Sequence, residues 1–227
     1  AGIIIGVMML SGLALRLSSL LIAFSGGSLL VLMFLTMIVS LILGMGLPTS
    51  AVYVVLATLV VPAMIDMGVD VLAAHMFVFY FGVLANVTPP VAIAAYAGAG
   101  LAGAKSSTTG LIAFRLSLAG FILPFMWVYN PALIMQGSTT ETALAVTSAL
   151  AGIIALAGAV QGYLFGTARW HERLLLGIGA IGLIKPGLTT DLIGGGLLVL
   201  ACLSRFLLAR PGPAPLPAAR GEPLAPE

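Results

Sequence analysis

Leu43-Gly44-Met45-Gly46-Leu47-Pro48-Thr49-Ser50 interrupts one apolar stretch of the chain, and Asn86-Val87-Thr88-Pro89-Pro90-Val91 interrupts another. Membrane helices avoid clusters of such residues, yet both breaks lie inside hydrophobic sequence and neither contains a charge. Lipid offers backbone N–H and C=O groups no partners. Unwound chain at membrane depth therefore persists only where protein or a polar cavity covers it. Paired interruptions of this kind are the best sequence pointer to a binding site in a secondary transporter.

The composition supports a membrane setting. Of 227 residues, 61% are hydrophobic and 7% charged, with a mean hydropathy of +1.21. A soluble domain carries about 25% charged residues, so this chain cannot build a water-exposed surface. The expected class is all-α and polytopic. A net charge of +2, without a basic cluster interleaved with aromatics, gives no footing for a nucleic-acid partner. Cys202, the single cysteine, lies in an apolar run and reads as packing. The chain opens on Ala1-Gly2-Ile3-Ile4 with no Met and no basic leader, which reads as the interior of a longer polypeptide.

A spanning helix needs about 20 mainly apolar residues. Residues 2–24 meet that length despite Arg16. Residues 27–43 and 51–65 are apolar but short, so 27–65 reads as a re-entrant hairpin with its tip at 44–50. The alternative is two full spans joined by a tight apolar turn. After a polar turn at 66–70, residues 72–103 form one discontinuous span: helix to 85, break at 86–90, helix from 91. A loop at 105–109 leads to a span at 110–129. A polar stretch at 136–141 precedes spans at 143–166, 174–188 and 191–208. The domain reading is 1–135 as one unit, 136–208 as accessory helices, and 209–227 as a disordered Pro-rich tail. Placing Lys105, Arg115, Arg169, Arg173, Arg205, Arg210 and Arg220 on one face puts Asp66, Asp70, Glu141 and Asp191 opposite. The positive-inside rule makes the basic face, and the C-terminus, cytoplasmic. Arg16 and Lys185 fit this least well, and Lys185 is expected to snorkel to the outer interface.

The breaks carry chemistry suited to ions. Carbonyls and small hydroxyls suit a hard cation such as sodium, and a half-helix N-terminus suits an anionic substrate group. Gly44 and Gly46 permit the turns of a hairpin tip, and Pro48 fixes φ. Thr49 or Ser50 is placed to cap the following helix. Asn86 and Thr88 offer side-chain ligands. Pro89 and Pro90 free carbonyls of the preceding turn, and Pro90 is placed to start the next half-helix. A Pro-kinked helix satisfied by neighbouring hydroxyls is the plain alternative at either break taken alone.

Gly44-Met45-Gly46-Leu47-Pro48-Thr49-Ser50-Ala51-Val52-Tyr53, and Ala74-His75-Met76-Phe77-Val78-Phe79-Tyr80-Phe81 running into Asn86-Val87-Thr88-Pro89-Pro90-Val91-Ala92, resemble the large membrane subunit of tripartite ATP-independent periplasmic (TRAP) transporters. The likeness is to the fused-permease branch linked to TAXI-type binding proteins, and covers residues 1–135. It implies an elevator-type, sodium-coupled symporter of small organic anions such as carboxylates, in a bacterial inner membrane. It implies two inverted repeats, of which this chain matches the second. Implied partners are a periplasmic solute-binding protein, the first repeat, and the small membrane subunit or its fused equivalent. Carried over, the family's outer-hairpin sodium site puts Gly46, Thr49, Ser50, Asn86 and Thr88 near the ion, with sodium as coupling ion and no other cofactor. The family commonly shows Ser or Ala followed by Ile before Thr-Pro-Pro. Asn86-Val87 departs from this, so the carried-over role there rests on backbone carbonyls.

Rival readings lack their signatures. An intramembrane enzyme needs a nucleophile, an aspartate pair or a metal motif within the spans. No His-Glu-x-x-His or nucleophile elbow occurs, and the acids fall in loops. A channel needs a polar pore stripe, and an ABC-type permease a charged coupling loop. A noncatalytic helical module or another permease class remains the alternative. His75 reads as an interfacial residue. Arg16 and Arg115 read as snorkelling or as paired outside this chain. Phe77, Phe79, Tyr80 and Phe81 read as interfacial and packing residues, and Gly194-Gly195-Gly196 as a close-packing surface. Gly98-Ala99-Gly100-Leu101-Ala102-Gly103 matches a dinucleotide fingerprint by letter only, since no βαβ unit surrounds it.

Overall fold

Gly12, Gly26 and Gly27 adopt positive φ and punctuate the N-terminal helices. A computed structural model describes residues 2–164, 166–184 and 187–208. The expected span at 2–24 is broken in it, into α1 (Gly2–Leu10) and α2 (Leu13–Ser25). The reason is Gly12, whose φ of 66° ends the helical register where only glycine turns at little cost. α3 (Leu29–Gly44) and α4 (Thr49–Leu59) follow, then α5 (Val61–Asp66), offset at Val60 just before Pro62. Pro62 cannot donate to the Thr58 carbonyl, so the helix does not run on. α3 and α4 rise about 24 and 16 Å, each short of a hydrocarbon core of about 30 Å.

α6 (Val71–Leu84) runs into a 3-10 turn at Ala85–Val87, and α7 (Ile93–Leu101) resumes beyond the break. The expected loop at 105–109 is helical from Ser106: α8 (Ser106–Ser117) passes through a 3-10 segment, Leu118–Ile122, into α9 (Leu123–Tyr129). The polar 136–141 stretch is also partly helical. Ser138 and Glu141 form a reciprocal capping box that starts α10 (Thr139–Gln161) four residues early. Gly162, at φ 71°, ends α10 short of the expected residue 166. α11 (Trp170–Ile184) and α12 (Leu188–Leu208) complete the described chain. Ser106–Tyr129 and Thr139–Gln161 are long and apolar enough to cross a membrane. Among the described residues all regular elements are helices. Lys185, Arg210, Arg220 and the 209–227 tail lie outside the described residues, as does the side chain of Arg205.

α6 is the hub. It packs against α3, α4, α5 and α9, while α2 lies on α3, α4 and α5. Phe77 and Phe81 are fully buried and meet Phe125 and Phe121 edge to face. Each such pair contributes about 0.5–1.5 kcal/mol beyond area burial. Phe79, by contrast, is partly exposed.

α10, α11 and α12 build a second apolar cluster of their own. α11 and α12 approach through glycine. A Cβ on Gly194 would lie 2.7 Å from the Gly179 carbonyl oxygen and 2.9 Å from the Leu183 nitrogen, whereas one on Gly195 or Gly196 would meet nothing. The glycine run therefore packs through one residue of three.

Asp70, Glu141 and Asp191 lie toward the start of α10, and Arg115 and Arg173, with buried Glu172 beside them, at its other end. At its start, Asp70 caps α6 by accepting from the Ala73 N–H (3.1 Å) and also accepts from Gln136 Nε2 (3.1 Å). Gln136, Glu141 and Asp191 line one cavity of about 390 Å³ there, and Ser148 Oγ lies 2.9 Å from Asp191 Oδ1. At its other end stands Arg115. Its guanidinium donates to the carbonyls of Val160 (3.2 Å) and Gln161 (3.1 Å).

Gly194→Ala is expected to cost about 1–3 kcal/mol, the range for overpacking, and Gly195→Ala, in open space within the helix, to gain about 0.5–1 kcal/mol; thermal unfolding in detergent distinguishes them. The Ala73 amide, and more weakly Gln136, hold the Asp70 carboxyl below its ordinary 3.8 against an opposing desolvation. The cap's contribution is then complete above the ordinary carboxylate value and fades as pH falls through the lower folded value. Tm of the wild type should drop below about pH 4, and Asp70→Asn should shrink that acid limb.

Candidate functional site

The hairpin tip is built by a change of backbone direction at each residue. Buried Gly44 ends α3, and the Met45 N–H closes on the Ile42 carbonyl at 3.2 Å. Gly46 turns the chain at φ 86°, with open space where a Cβ would stand. Pro48 occupies the N-cap position of α4, and its carbonyl accepts from the Val52 N–H at 3.0 Å. The expected cap by Thr49 or Ser50 does not form. Both are already helical residues, and the position before them is a proline with no side-chain acceptor. The first amides of α4, at Thr49, Ser50 and Ala51, therefore have no intrahelical acceptor. Pro48 and Ser50 are exposed, and Thr49 is half-buried.

At the second break, Pro89 and Pro90 lack the N–H groups that would close on the Ala85 and Asn86 carbonyls. The Thr88 N–H recovers the Ala85 carbonyl at 3.2 Å. Thr88 Oγ1 donates to the Leu84 carbonyl (2.8 Å), and Asn86 Nδ2 to the Val83 carbonyl (3.2 Å). Both side chains thus spend donors on the preceding turn and keep oxygen lone pairs. The Pro89–Pro90 peptide is cis, and buried Ala92 is left-handed at φ 33°. That residue separates the prolines from α7, so Pro90 does not start the half-helix; Ile93 does. Pro90 instead accepts through its carbonyl from the Tyr96 hydroxyl at 2.9 Å.

The breaks meet through Gly44. A Cβ there would lie 2.7 Å from Ala85 Cβ and 3.0 Å from the Gly82 carbonyl oxygen. A Cβ on Gly82 would lie 2.8 Å from Val52 Cγ1. Both arms of the hairpin thus close on the end of α6, next to Asn86. The Thr49 and Ser50 hydroxyls make no hydrogen bond to Asn86 or Thr88. The neighbourhood is neutral, composed of hydroxyl, amide and carbonyl dipoles. Among the described residues no group of three or more His, Cys, Asp or Glu side chains could hold a metal ion. Such a set can coordinate a hard monovalent cation through oxygen.

Two features escaped the sequence reading. Thr36 and Ser40 are fully buried on α3, and their hydroxyls have no partner. They stand at helical spacing with Gly44, a signal visible in residues 36–44 as small or polar positions every fourth residue. His75, expected at an interface, is half-buried and shares a 3.0 Å hydrogen bond with Tyr53 across α4 and α6.

Gly44→Ala is expected to cost about 1–3 kcal/mol through overpacking, and adding Ala85→Gly should recover part of it. Thermal unfolding of the two single variants and the double variant measures that coupling.

In a comparison with protein families, the model described as "Tripartite ATP-independent periplasmic transporter, DctM component" matches residues 1–142. No curated protein and no solved structure matches the chain. The matched region contains both breaks and ends in the first turn of α10. These matched residues, folded as apolar helices interrupted at two apposed breaks, place the chain in the TRAP transporter DctM family, as a multi-pass membrane permease component and not a member of an enzyme class.

Proposed function

We propose that this permease component couples uptake of a small organic anion, a carboxylate, to sodium, with the ion held between the hairpin tip and the α6–α7 break. One observation carries the reading. Thr88 and Asn86 both donate to carbonyls of the turn before them, so their oxygens remain as acceptors in the turn that begins at Ala85, which the hairpin abuts at Gly44. Backbone carbonyls around Gly46, with Thr49 and Ser50, supply the remaining oxygens. The carboxylate meets the N-terminus of α4, whose free amides and partial positive charge suit an anion. Sodium and carboxylate then neutralise each other at one place in a low-dielectric medium, which makes their binding mutually favourable.

In this reading α3 and α4 are the arms of a re-entrant hairpin. Residues 1–135 act as one repeat of an elevator-type transport domain. A complete transporter adds the inverted first repeat and the small membrane subunit or its fused equivalent, and receives substrate from a periplasmic solute-binding protein. That protein sets much of the substrate choice. The setting is the bacterial inner membrane. The end carrying Arg115 and Arg173 faces the cytoplasm, as does the C-terminus.

Uptake by the complete complex in proteoliposomes, driven by a sodium gradient, tests the site. Losing one oxygen ligand to a charge costs about 1.5–3 kcal/mol. Thr88→Ala and Thr49→Ala should therefore each raise the sodium concentration for half-maximal uptake about tenfold or more. Unchanged sodium dependence in both variants would overturn the assignment.

A further inference from the structure

The C-terminal end of α10 is satisfied by two arginines from different parts of the chain. The last four carbonyls of a helix have no intrahelical donors. Here the Gly158 carbonyl takes the N–H groups of Gly162 (2.9 Å) and Tyr163 (3.2 Å). The Ala159 carbonyl takes Arg173 Nε at 2.8 Å, and Val160 takes Arg173 Nη2 at 3.3 Å. Arg115 Nη2 reaches Val160 and Gln161, and Gln161 Nε2 donates back to the Arg115 carbonyl at 3.0 Å. Arg173 belongs to α11 within the accessory unit, whereas Arg115 belongs to α8. Cations at a helix C-terminus also complement its dipole, so releasing Arg115 would leave its charge and the Gln161 carbonyl without partners, and Val160 with Arg173 alone.

α8 is in turn tied to the break. A Cβ on Gly110 would lie 2.7 Å from Tyr96 Cε1, so the tyrosine ring occupies a notch that only glycine leaves open. The same tyrosine donates its hydroxyl to the Pro90 carbonyl, and its N–H closes on the carbonyl of left-handed Ala92. One turn and a half of α8 separates Gly110 from Arg115. A hydrogen bond and van der Waals contact thus link Pro90 to Tyr96 and Gly110, the α8 backbone leads on to Arg115, and Arg115 bonds the end of α10.

We infer that Tyr96 and Arg115 are positioning residues that couple the α6–α7 break to the accessory helices α10–α12, so that a change in the break alters the grip on the α10 terminus, and the reverse. The coupling is reciprocal by thermodynamic necessity. It makes the accessory unit a regulator of the break rather than a passive appendage.

Hydrogen–deuterium exchange of the intact chain in lipid nanodiscs tests this. The two reporters are the Ala92 amide, bonded to the Thr88 carbonyl, and the Gly162 and Tyr163 amides, bonded to that of Gly158. Arg115→Gln should speed exchange at Gly162–Tyr163 and, about fivefold or more, at Ala92. Tyr96→Phe keeps the ring in its notch and should speed Ala92 and, to a similar degree, Gly162–Tyr163. The double variant should fall short of the product of the two single effects. Thr147→Ala, which removes only a hydroxyl bond inside α10, should leave both reporters unchanged. Effects confined to the nearer reporter, or single effects that simply multiply, would overturn the coupling. Tyr96→Phe carries the test by itself if Arg115→Gln does not fold.

Discussion

The close approach of α3 and α4 to α6 at Gly44 and Gly82 is the constraint on which the rest of the structure depends. In lipid, apolar side chains gain little by leaving one apolar surrounding for another, so helices associate by close packing. Two absent side chains supply it here. The Gly44 position faces Ala85 and the Gly82 carbonyl, and Gly82 faces Val52. The contact joins the end of one helix, the first turn of the next and the last turn of a third. The tip and the break are side by side because the backbones themselves touch. The aromatic layer of Phe77, Phe81, Phe121 and Phe125 extends this packing toward α9.

The unwound segments are then a matter of satisfying backbone groups. Each proline at the second break removes a donor, and each loss is met locally or left as an available oxygen. Thr88 uses both its amide and its hydroxyl on the preceding turn, and Tyr96 takes the Pro90 carbonyl. The α10 terminus meets the same requirement with arginines added to the turn at Gly162. In both places a side chain from a neighbouring helix completes a helix end, and that dependence links segments distant in sequence.

Much of this was legible in the sequence. Pro48, Pro89, Pro90 and the glycines at 44 and 46 are local signals, because φ restriction and a missing N–H act within one turn of the chain. The all-helical class followed from hydropathy, and the family likeness from the strings around the two breaks, within the matched residues 1–142. Helix limits were less legible. Gly12 reads as an ordinary membrane-helix glycine until its φ is known. The start of α10 shifted because Ser138 and Glu141 cap reciprocally, a motif present in the sequence but placed in a loop. The expected hydroxyl cap at Thr49 failed because α4 begins one residue too early for it.

The sequence by itself determined that the chain is helical, that it belongs in a bilayer, and that two of its helices must break, at 44–50 and 86–90. Those outcomes depend on transfer free energy and on local dihedral limits, which each residue carries wherever it sits. Only the tertiary structure decided what the breaks touch. Gly44 against Ala85, Tyr96 against Pro90, and Arg115 on the α10 carbonyls join residues as much as 46 positions apart. The same apolar helices could pack in many registers with similar hydropathy. The register is chosen by shape, where a glycine leaves room for a neighbouring backbone or ring, and by the few polar groups whose partners lipid cannot supply.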